Sequence, residues 1–405
     1  MKKTSRVLAS ILLLVFVTGL LGGCSSGSKN KPAEETAAGN DVIKIASVTP
    51  LSGSQAALGE NIKLGAQMAF DESKAEIEKL GFKMVFAPQD DQADPKVGVA
   101  VAQKLIADKD ILAVDGHFNS GVAIPSSEIY AKDNLCMVSP ANTAVGITDR
   151  KLPCVNRICA RDDVQGPLGA DFAAKDLGAK KIFVVHDKTT YGQAIADEVK
   201  ARAPKAGMEV AGYEGITAGE SDFSAVLNKV AVVKPDVLYF GGIYPEGSLI
   251  IKQMKDKGIT AKFIGPDGMD DPEVVKIAGA AAIGNFYTSP AADISRTPEG
   301  KAWVDSFKSK FGKDPSNWSA YGYDAMKVII AGIKNAIEAN GGKKPSRQQV
   351  SEAVRAVKDL QGITSTISFD EKGDNLGAKL YVAEFKEAKY PPTVVKEITA
   401  SQFTK

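Results

Sequence analysis

Short polar loops follow several apolar segments of this chain, and their side chains are suited to binding a small charged molecule. Residues 111–114 are apolar, and the segment after them ends in Ser120 and Gly121, just before a helical pattern. Free backbone N–H groups at a helix start attract anions, and the Ser120 hydroxyl adds a donor. This loop therefore predicts a site for a ligand carboxylate. The alternative is that Ser120 only caps its own helix.

A second loop offers a group suited to recognising a zwitterion, and a lone acid offers one that would bind an ammonium. The loop 139–144 follows a short apolar run and contains Thr143, whose hydroxyl both donates and accepts hydrogen bonds. Asp267 stands in a Gly/Pro turn after the apolar pair 263–264 and would pair with a cation. Tyr191 begins a helix and would lay its ring over the ligand. The alternatives are a capping or turn role for Thr143 and an Asx turn for Asp267.

The sequence gives little support to catalysis or to calcium binding. His186 and Asp187 are adjacent, but no nucleophile stands in an elbow such as G-x-S-x-G. The acids Asp90, Asp91 and Asp94 lack the glycine and the distal glutamate of a calcium loop. We interpret them as solvated loop carboxylates, with Asp94 as a helix cap.

Zinc and cofactor sites are not predicted either. The chain has two histidines, and the spacing of Cys154 and Cys159 differs from that of a zinc knuckle. Cys136 and Cys159 lie in apolar contexts and are interpreted as buried small hydrophobic residues. No glycine-rich phosphate loop and no G-x-G-x-x-G after a strand is found. We therefore predict no cofactor and no metal.

The remaining pattern predicts elements that would place these loops at one edge of a sheet. From residue 41 onward, short runs rich in Val, Ile and Phe alternate with longer segments of helical period. Such alternation predicts parallel sheets that helices bury on both faces. In these sheets, ligands bind beyond the C-terminal ends of the strands. The predicted strands are residues 43–48, 84–87, 111–114, 136–138, 182–185, 237–240 and 263–264.

The predicted fold class is α/β with two lobes, since 405 residues exceed the size of one typical domain. The tail departs from this pattern. Residues 363–370 and 379–385 alternate in polarity, and a Lys-Gly-Asp turn signal lies between them. This arrangement predicts a late antiparallel hairpin.

The charge of the chain argues against nucleic acid as a partner. Its formal net charge is +1, and losing Lys2, Lys3 and Arg6 with a cleaved leader would change this to −2. The sequence also has no basic run. Proteins that bind nucleic acid carry a concentrated positive charge, so we predict none as a partner.

The first 24 residues have the order of a secretory signal. Basic residues precede the apolar run 7–17, which is too short to span a bilayer of about 30 Å. Two glycines then lead to Cys24. This ending resembles the bacterial lipobox, whose cysteine thiol receives a diacylglycerol and becomes the mature N-terminus. Residues 25–40 carry no large apolar side chain and are interpreted as a flexible tether. The alternatives are a secreted protein with an incidental cysteine and a retained membrane helix.

Several motifs, in the same order, resemble those of the branched-chain amino-acid binding proteins, a group of type I periplasmic binding proteins. The similarity extends over nearly all of residues 41–385. The motifs are residues 46–53 with Gly59 and Glu60, 90–95, 116–117, 139–141, 165–167, 186–192, 215–223, 241–242, 265–266 and 369–374.

The resemblance implies two α/β lobes that are joined by a three-stranded hinge and close over a ligand. It also implies that the protein delivers a solute to the membrane permease of an ABC transporter. The implied ligand-binding residues are Ser120, Ala141, Asn142, Thr143, Tyr191, Tyr244 and Asp267. The first four would meet the ligand carboxylate, Thr143 and Asp267 would meet its ammonium, and Tyr191 would cover it.

The sequence departs from the family pattern at the side-chain end of the implied pocket. Asn142 and Asp267 stand where the family has alanine and glutamate, and Ile243 stands where it has tyrosine, with Tyr244 adjacent. Leu58 stands where an aromatic residue is common. The resemblance therefore implies an amino-acid head group and leaves the side chain open between branched-chain and other aliphatic types.

Together these observations predict a monomeric, lipid-anchored, extracytoplasmic receptor for an amino acid. The predicted division of the chain is a signal peptide at 1–23, the lipidated cysteine and tether at 24–40, lobe one at 41–161 with 290–375, and lobe two at 162–289 with 376–405. Two alternatives remain. One is a receptor on the same fold for an amide, a urea-like compound or an aromatic acid, and the other is an exported enzyme.

Overall fold

The computed structural model describes residues 41–291 and 293–399, which form a two-lobed α/β protein. The predicted signal peptide, Cys24 and the tether lie outside these residues. Within the described part of the chain, no helix has both the length and the apolar character that a membrane span requires.

Sheet one is built from the first part of the described chain. All its strands pair in parallel, in the order β2-β1-β3-β4-β5. Every residue of β3 and β4 is buried, because helices cover both faces of the sheet. The strands are β1 (Val42–Thr49), β2 (Lys83–Asp90), β3 (Ile111–Gly116), β4 (Cys136–Ser139) and β5 (Val155–Arg157).

Sheet two contains seven strands in the order β14-β13-β10-β9-β8-β6-β7. Its parallel strands are β6 (Lys181–His186), β7 (Glu209–Gly215), β8 (Val237–Gly241), β9 (Lys262–Gly265) and β10 (Phe286–Ser289). A separate short ribbon joins β11 (Leu360–Gln361) and β12 (Thr366–Ile367). The edge of sheet two is antiparallel and consists of β13 (Lys379–Glu384) and β14 (Thr393–Thr399).

Helices connect the parallel strands and pack against both sheets. They are α1 (Ala56–Glu78), α2 (Pro95–Ala107), α3 (Ser120–Ala131), α4 (Asp162–Lys175), α5 (Thr190–Arg202), α6 (Ser224–Val233), α7 (Tyr244–Asp256), α8 (Glu273–Ala278), α9 (Pro298–Phe311), α10 (Asn317–Ala339) and α11 (Arg347–Arg355).

The chain passes between the two lobes three times. It leaves sheet one after β5, returns after β10 so that α10 and α11 pack on β3 and β4, and enters sheet two again at β13. The first and third passages lie side by side, joined by a parallel bridge between Arg157 and Asp374. The predicted two-lobed α/β fold is confirmed, while the lobe boundaries at residues 161, 289 and 375 stay a prediction.

The seven strands that the apolar runs predicted all lie within strands of the structure, and the predictions missed β5, β7, β10, β11 and β14. The predicted late hairpin is wrong. The turn at 371–374 forms, with a bridge between Phe369 and Asn375, but β13 pairs with β10 and β14 instead. Turn residues specify only a local reversal of the chain. The partner of β13 is decided by its apolar residues, which are buried in sheet two.

The three cysteines of the described chain are free and buried, as predicted for Cys136 and Cys159. Burial raises the pKa of the Cys154 thiol to about 11, so this thiol stays protonated at neutral pH. Buried, protonated thiols are inert, and the three residues act as small apolar side chains of the core.

Glycines allow α1 and α10 to approach closely on one face of sheet one. A Cβ atom built on Gly65 of α1 would lie 1.7 Å from the carbonyl oxygen of Ser319, and one on Gly322 of α10 would lie 2.2 Å from that of Ile62. Both neighbours are backbone atoms, so rotamer changes cannot relieve the overlap. The contact between these helices therefore requires glycine at both positions.

Gly65→Ala is expected to lower the free energy of unfolding by about 1–3 kcal/mol or more, because the helices must move apart to admit the methyl group. Gly146→Ala is the matched control, since its Cβ atom would meet nothing closer than the Ile124 Cδ1 at 3.6 Å. Denaturant unfolding of both variants measures the effect. Equal midpoints for the two variants would contradict the close-contact argument.

Candidate functional site

The predicted binding loops lie at the C-terminal ends of the parallel strands in both lobes. Ser120 is the first residue of α3, which follows β3, and the loop 139–144 follows β4. Tyr191 lies in the first turn of α5 after β6, and Asp267 begins a short helical turn after β9. The topology therefore directs two loops from each lobe toward the same cleft.

The start of α3 has the features of an anion-binding helix terminus. Asn119 occupies the N-cap position, but its side chain does not cap the helix and instead donates to Gln55 Oε1 at 2.8 Å. Ser120 does not cap either, because its hydroxyl accepts from the Ala144 N–H at 3.4 Å. The positive end of the α3 dipole thus faces the cleft without a side-chain cap.

Hydrogen bonds within the protein hold the loop 139–144 and occupy two of the predicted ligand contacts. The N–H groups of Ala141 and Asn142 donate to Ser139 Oγ at 3.3 and 2.9 Å. The Asn142 side chain accepts from Ser139 Oγ and donates to the Phe118 carbonyl, both at 2.7 Å. Asn142 is therefore already paired, and an aliphatic ligand would not leave its amide unsatisfied.

The predicted contact Thr143 is the exception in this loop. Its side chain is fully buried, and its Oγ1 makes no hydrogen bond of regular geometry among the residues that the structure describes, although it lies close enough to the Asp162 carboxyl to oppose the rise that burial causes in the pKa of that acid. A capping or turn role would have given this hydroxyl a backbone partner. The structure therefore leaves the Thr143 hydroxyl with capacity both to donate and to accept.

Arg157 supports the loop from below, and sequence reasoning missed it. The guanidinium is fully buried, and its Nη1 donates to the carbonyls of residues 142–144 at 3.1, 2.9 and 2.8 Å. Its Nε donates to Asp374 Oδ1 at 2.5 Å, and its Nη2 donates to Thr148. The sequence did contain a signal for this role, namely an arginine within the largely apolar segment 155–159. A cation buried in such a segment requires partners elsewhere in the fold.

On the lobe-two side, Asp267, Tyr191 and Gln165 form one hydrogen-bonded group. Asp267 Oδ1 accepts from Tyr191 Oη at 2.6 Å and from Gln165 Nε2 at 2.9 Å. Burial raises the pKa of Asp267 to about 6, although these hydrogen bonds oppose the rise. Both donors come from other elements, so Asp267 is not engaged in an Asx turn and is available as an acid of the cleft.

Gln165 was not predicted as a site residue, although the segment 165–167 contributed to the family resemblance. It lies in the first turn of α4, where its Nε2 also donates to Thr288. Its Oε1 is buried without a partner in the described part of the chain. Spacing alone could not have found it, because only the tertiary fold brings α4 beside the turn at Asp267.

The two lobes touch across the cleft. The Tyr244 hydroxyl in lobe two donates to the Ser54 carbonyl in lobe one at 2.9 Å. Gly121 at the start of α3 also faces α5, where an added Cβ atom would lie 3.2 Å from Thr190 Oγ1. The two lobes are therefore in contact, and Tyr244 lies where they meet.

The residues examined for catalysis and metal binding have other roles. The carboxylate of Asp187 accepts from the backbone N–H and hydroxyl of Thr189, while the His186 ring packs against the Tyr213 ring in a tilted arrangement. Asp94 caps α2, as predicted, by accepting from the N–H groups of Lys96 and Val97. The prediction that Asp91 is a solvated loop carboxylate is wrong, because its side chain is fully buried and is hydrogen-bonded to His117 Nδ1 at 2.8 Å. Within residues 41–291 and 293–399, no group of acidic, histidine and cysteine side chains is arranged to hold a metal.

Comparison with known proteins identifies the family. The model of a family described as periplasmic binding protein matches residues 42–390. A leucine-, isoleucine-, valine-, threonine- and alanine-binding protein of Pseudomonas aeruginosa is 38% identical over 335 residues, which cover 82% of this chain and 87% of that protein. The chain belongs to the type I periplasmic binding proteins of the branched-chain amino-acid family.

Solved structures agree with this assignment. A leucine-binding protein of Thermotoga maritima matches this periplasmic binding protein with a TM-score of 0.80 and 29% identity, covering 89% of this chain and 99% of that one. A solute-binding protein of R. palustris in complex with benzoate matches with a TM-score of 0.79 and 23% identity, covering 88% and 96%. The second similarity concerns the fold alone.

Family membership defines the general role of the protein. A periplasmic binding protein is an extracytoplasmic, non-enzymatic component of transport, and this description holds for the chain. The prediction that it is not an enzyme is thereby confirmed. The structure gives the positions of the predicted site residues, and their contacts with a ligand stay a prediction.

The raised pKa of Asp267 predicts how the stability of this periplasmic binding protein varies with pH. The folded state binds a proton at Asp267 more tightly than the unfolded state, so this group lowers stability as pH rises through about 4–6. Asp267→Asn removes the titrating carboxyl, and with it this dependence of stability on pH, while keeping an oxygen that accepts hydrogen bonds. The variant is expected to gain roughly 3 kcal/mol over the unmodified protein between pH 4 and 7.

Denaturant unfolding at a series of pH values measures this difference, since the other acids titrate in both proteins. Asp222→Asn is a useful control. Hydrogen bonds from the hydroxyl and N–H of Ser224 lower the pKa of Asp222, so its removal should act in the opposite direction. Parallel stability profiles for Asp267→Asn and the unmodified protein would show that Asp267 is not a buried, titrating acid.

Proposed function

We propose that this protein is the lipid-anchored receptor of an ABC importer and binds an amino acid, either branched-chain or of another aliphatic type. The ligand would enter the open cleft, the lobes would close over it, and the permease would recognise the closed form. Cys24 lies outside the described residues, and the importer is a separate protein. The lipid anchor and the delivery to a permease are therefore proposed together with the ligand.

One observation supports the proposal: an uncapped helix start in lobe one and a buried acid in lobe two both follow the C-terminal ends of parallel strands. The uncapped start of α3 and the Ser120 hydroxyl suit a carboxylate. Asp267, with the unpaired hydroxyl of Thr143, suits an ammonium. Amino acids carry these two groups on one carbon atom, which a cleft of this polarity would recognise as a unit.

The other predicted residues have supporting roles in this proposal. Ala141 and Asn142 shape the loop and line the pocket, because their polar groups are already paired within the protein. The Tyr191 hydroxyl bonds Asp267, and its ring would cover the ligand head. Tyr244, at the contact of the lobes, would form a wall for the ligand side chain.

The relatives support an amino acid as the ligand. The Pseudomonas protein is named for binding leucine, isoleucine, valine, threonine and alanine, and the Thermotoga protein is named for leucine. Side chains of this range are small and mainly aliphatic, in agreement with the apolar residues Leu58 and Ile243, which are buried here.

Ligand binding would act by shifting an equilibrium between open and closed lobes. A ligand stabilises the closed form only by the difference between its affinities for the two forms. Groups contributed by both lobes provide this difference, because Thr143 and Asp267 can hold one molecule together only after closure. The passages between the lobes would serve as the hinge.

A second candidate function is a receptor for an aromatic acid or another solute without an ammonium. The benzoate complex of the R. palustris protein has the same fold and motivates this alternative. Asp267 distinguishes the two candidates. A ligand that lacks a cation would have no partner for this buried carboxyl, and its removal would then leave affinity unchanged or improve it.

Calorimetry with leucine, isoleucine, valine, alanine and benzoate tests the proposed ligand class. Thr143→Ala and Asp267→Asn are each expected to weaken amino-acid binding about 10- to 100-fold, as expected for a lost hydrogen bond to a charged group. Asp256→Asn is the control, because this acid is exposed at the end of α7. Unchanged affinity in both cleft variants would refute the site, and binding of benzoate alone would favour the second candidate.

The predicted lipid anchor is tested independently of the ligand. Cys24→Ser in the full-length chain is expected to move the protein from the membrane fraction of a bacterial host to the soluble extracytoplasmic fraction, because the acyl chains would have no attachment site. Labelling with a fatty acid should be lost as well. Cys154→Ser is the control that keeps the anchor. Membrane retention of both variants would contradict lipidation at Cys24.

A further inference from the structure

Two residues at helix starts in lobe one bond each other and leave their own helices uncapped. Gln55 is the N-cap residue of α1 and Asn119 is that of α3, and within the described part of the chain neither side chain caps its helix. Asparagine is among the best N-cap residues, so the orientation of Asn119 needs a physical reason. Its amide donates to Gln55 Oε1 at 2.8 Å, which joins the loop 50–55 to the start of α3.

The loop 50–55, which we call the strap, is also fixed near its first residue. Asp90 at the end of β2 accepts from the Leu51 N–H at 2.8 Å and from the Ser52 hydroxyl at 2.6 Å. Burial opposes ionisation of Asp90, but these hydrogen bonds outweigh it and lower the pKa of the carboxyl. The strap then turns at Gly53, whose φ of 81° favours glycine. Hydrogen bonds to lobe one therefore hold both ends of the strap.

The strap meets lobe two through a backbone carbonyl. Tyr244 Oη donates to the Ser54 carbonyl oxygen at 2.9 Å. Burial of the Tyr244 side chain, with the nearby acid Asp271, raises the pKa of the phenol, so the hydroxyl stays protonated and acts as the donor. Ser54 itself is exposed, and water would bond its carbonyl when the lobes are apart.

The lobe-two partner of the strap is positioned together with the buried acid of the cleft. Tyr244 is the first residue of α7, and the segment before it packs on the turn that begins at Asp267. A Cβ atom added to Gly268 would lie 2.6 Å from the Gly242 carbonyl oxygen and 2.7 Å from Ile243 Cγ2. Backbone touches backbone here, so the Tyr244 hydroxyl and the Asp267 turn keep a fixed separation.

This contact between the lobes lies away from the passages that connect them. The strap follows β1, and β3 and β4 separate β1 from β5, where the chain leaves lobe one. Tyr244 follows β8, and β9 separates β8 from β10, where the chain leaves sheet two. Rotation about a hinge displaces the far side of a cleft most, so a hydrogen bond at this place forms only when the lobes are closed.

We propose that the strap is a latch for the closed lobes, with Gln55 and Tyr244 as its positioning residues. This inference rests on the proposed function and adds to it the control of closure. A carboxylate at the start of α3 would fix Asn119, whose amide holds Gln55 and with it the strap. The Ser54 carbonyl is then in place for the Tyr244 hydroxyl. The latch uses no atom of the ligand, so it strengthens the binding of every amino acid by the same factor.

Calorimetry with leucine and alanine on Tyr244→Phe tests the latch, because this change removes the hydroxyl and keeps the ring. Both affinities are expected to fall about 3- to 10-fold and by the same factor, as for one lost hydrogen bond. Stopped-flow kinetics should show a faster dissociation of both ligands. Tyr213→Phe is the matched control, because its hydroxyl donates to Asp197 within lobe two, and it should keep both affinities.

Gln55→Ala tests whether the strap carries the latch. This variant should weaken leucine and alanine by a common factor, since the strap loses its bond to Asn119. The double variant with Tyr244→Phe should bind no more weakly than the weaker single variant, because a released strap no longer offers its carbonyl. Losses that add up in the double variant would show that Gln55 and Tyr244 act separately, and would overturn the latch.

Unfolding without ligand separates a latch from a structural role. The hydrogen bond between Tyr244 and Ser54 joins the lobes only on closure, so Tyr244→Phe should unfold at the same temperature as the unmodified protein when no ligand is present. A lower unfolding temperature would show that the hydroxyl stabilises the fold itself, and the latch would be wrong.

The outcomes distinguish this inference from the proposed function. If leucine binds the unmodified protein and Tyr244→Phe binds it equally tightly, the latch is wrong and the receptor function stands. Unequal losses for leucine and alanine would also overturn the latch, because the hydroxyl would then contact the ligand side chain. If neither amino acid binds the unmodified protein, the proposed function fails and this inference fails with it.

Discussion

One buried guanidinium, that of Arg157, organises the lobe-one half of the cleft and the passage between the lobes. It holds the carbonyls of three successive residues in the loop 142–144 and the carboxylate of Asp374, more than 200 residues further along the chain. A cation this deeply buried is stable only when its donors are occupied. The shape of the ligand loop is therefore coupled to the third passage between the lobes, which a surface loop alone could not achieve.

Lobe two has a corresponding centre at Asp270, three residues after Asp267. Its buried carboxylate accepts from the hydroxyls of Tyr287, Ser289 and Tyr390 and from the amide of Asn317 at the start of α10. Two of these donors lie in β10 of sheet two, and the other two lie in the tail and in lobe one. Each half of the cleft is thus attached to the connecting segments through one buried charge whose partners all come from within the protein.

Local sequence patterns located most of the strands but missed five of them, and they did not specify which strands pair. Apolar runs such as 43–48 marked buried strands, whereas β13 was paired with the wrong segment because a turn signal says nothing about distant strands. The same limit applied to the site. Thr143, Tyr191 and Asp267 follow strands and were found by position, while Gln165 and Arg157 become visible only when the fold brings α4 and β5 beside the cleft.

The contrast between paired and unpaired buried groups also bears on how closure is controlled. Arg157 and Asp270 are satisfied by the chain, so the scaffold around them is stable without a ligand. Thr143, Gln165 and Tyr239 each keep a buried polar atom without a partner in the described residues, and each such group costs about 1–3 kcal/mol. Where such a group faces the cleft, as proposed for Thr143, closure without a ligand would cost the group its contact with water. A ligand that supplies the missing partner would remove this cost.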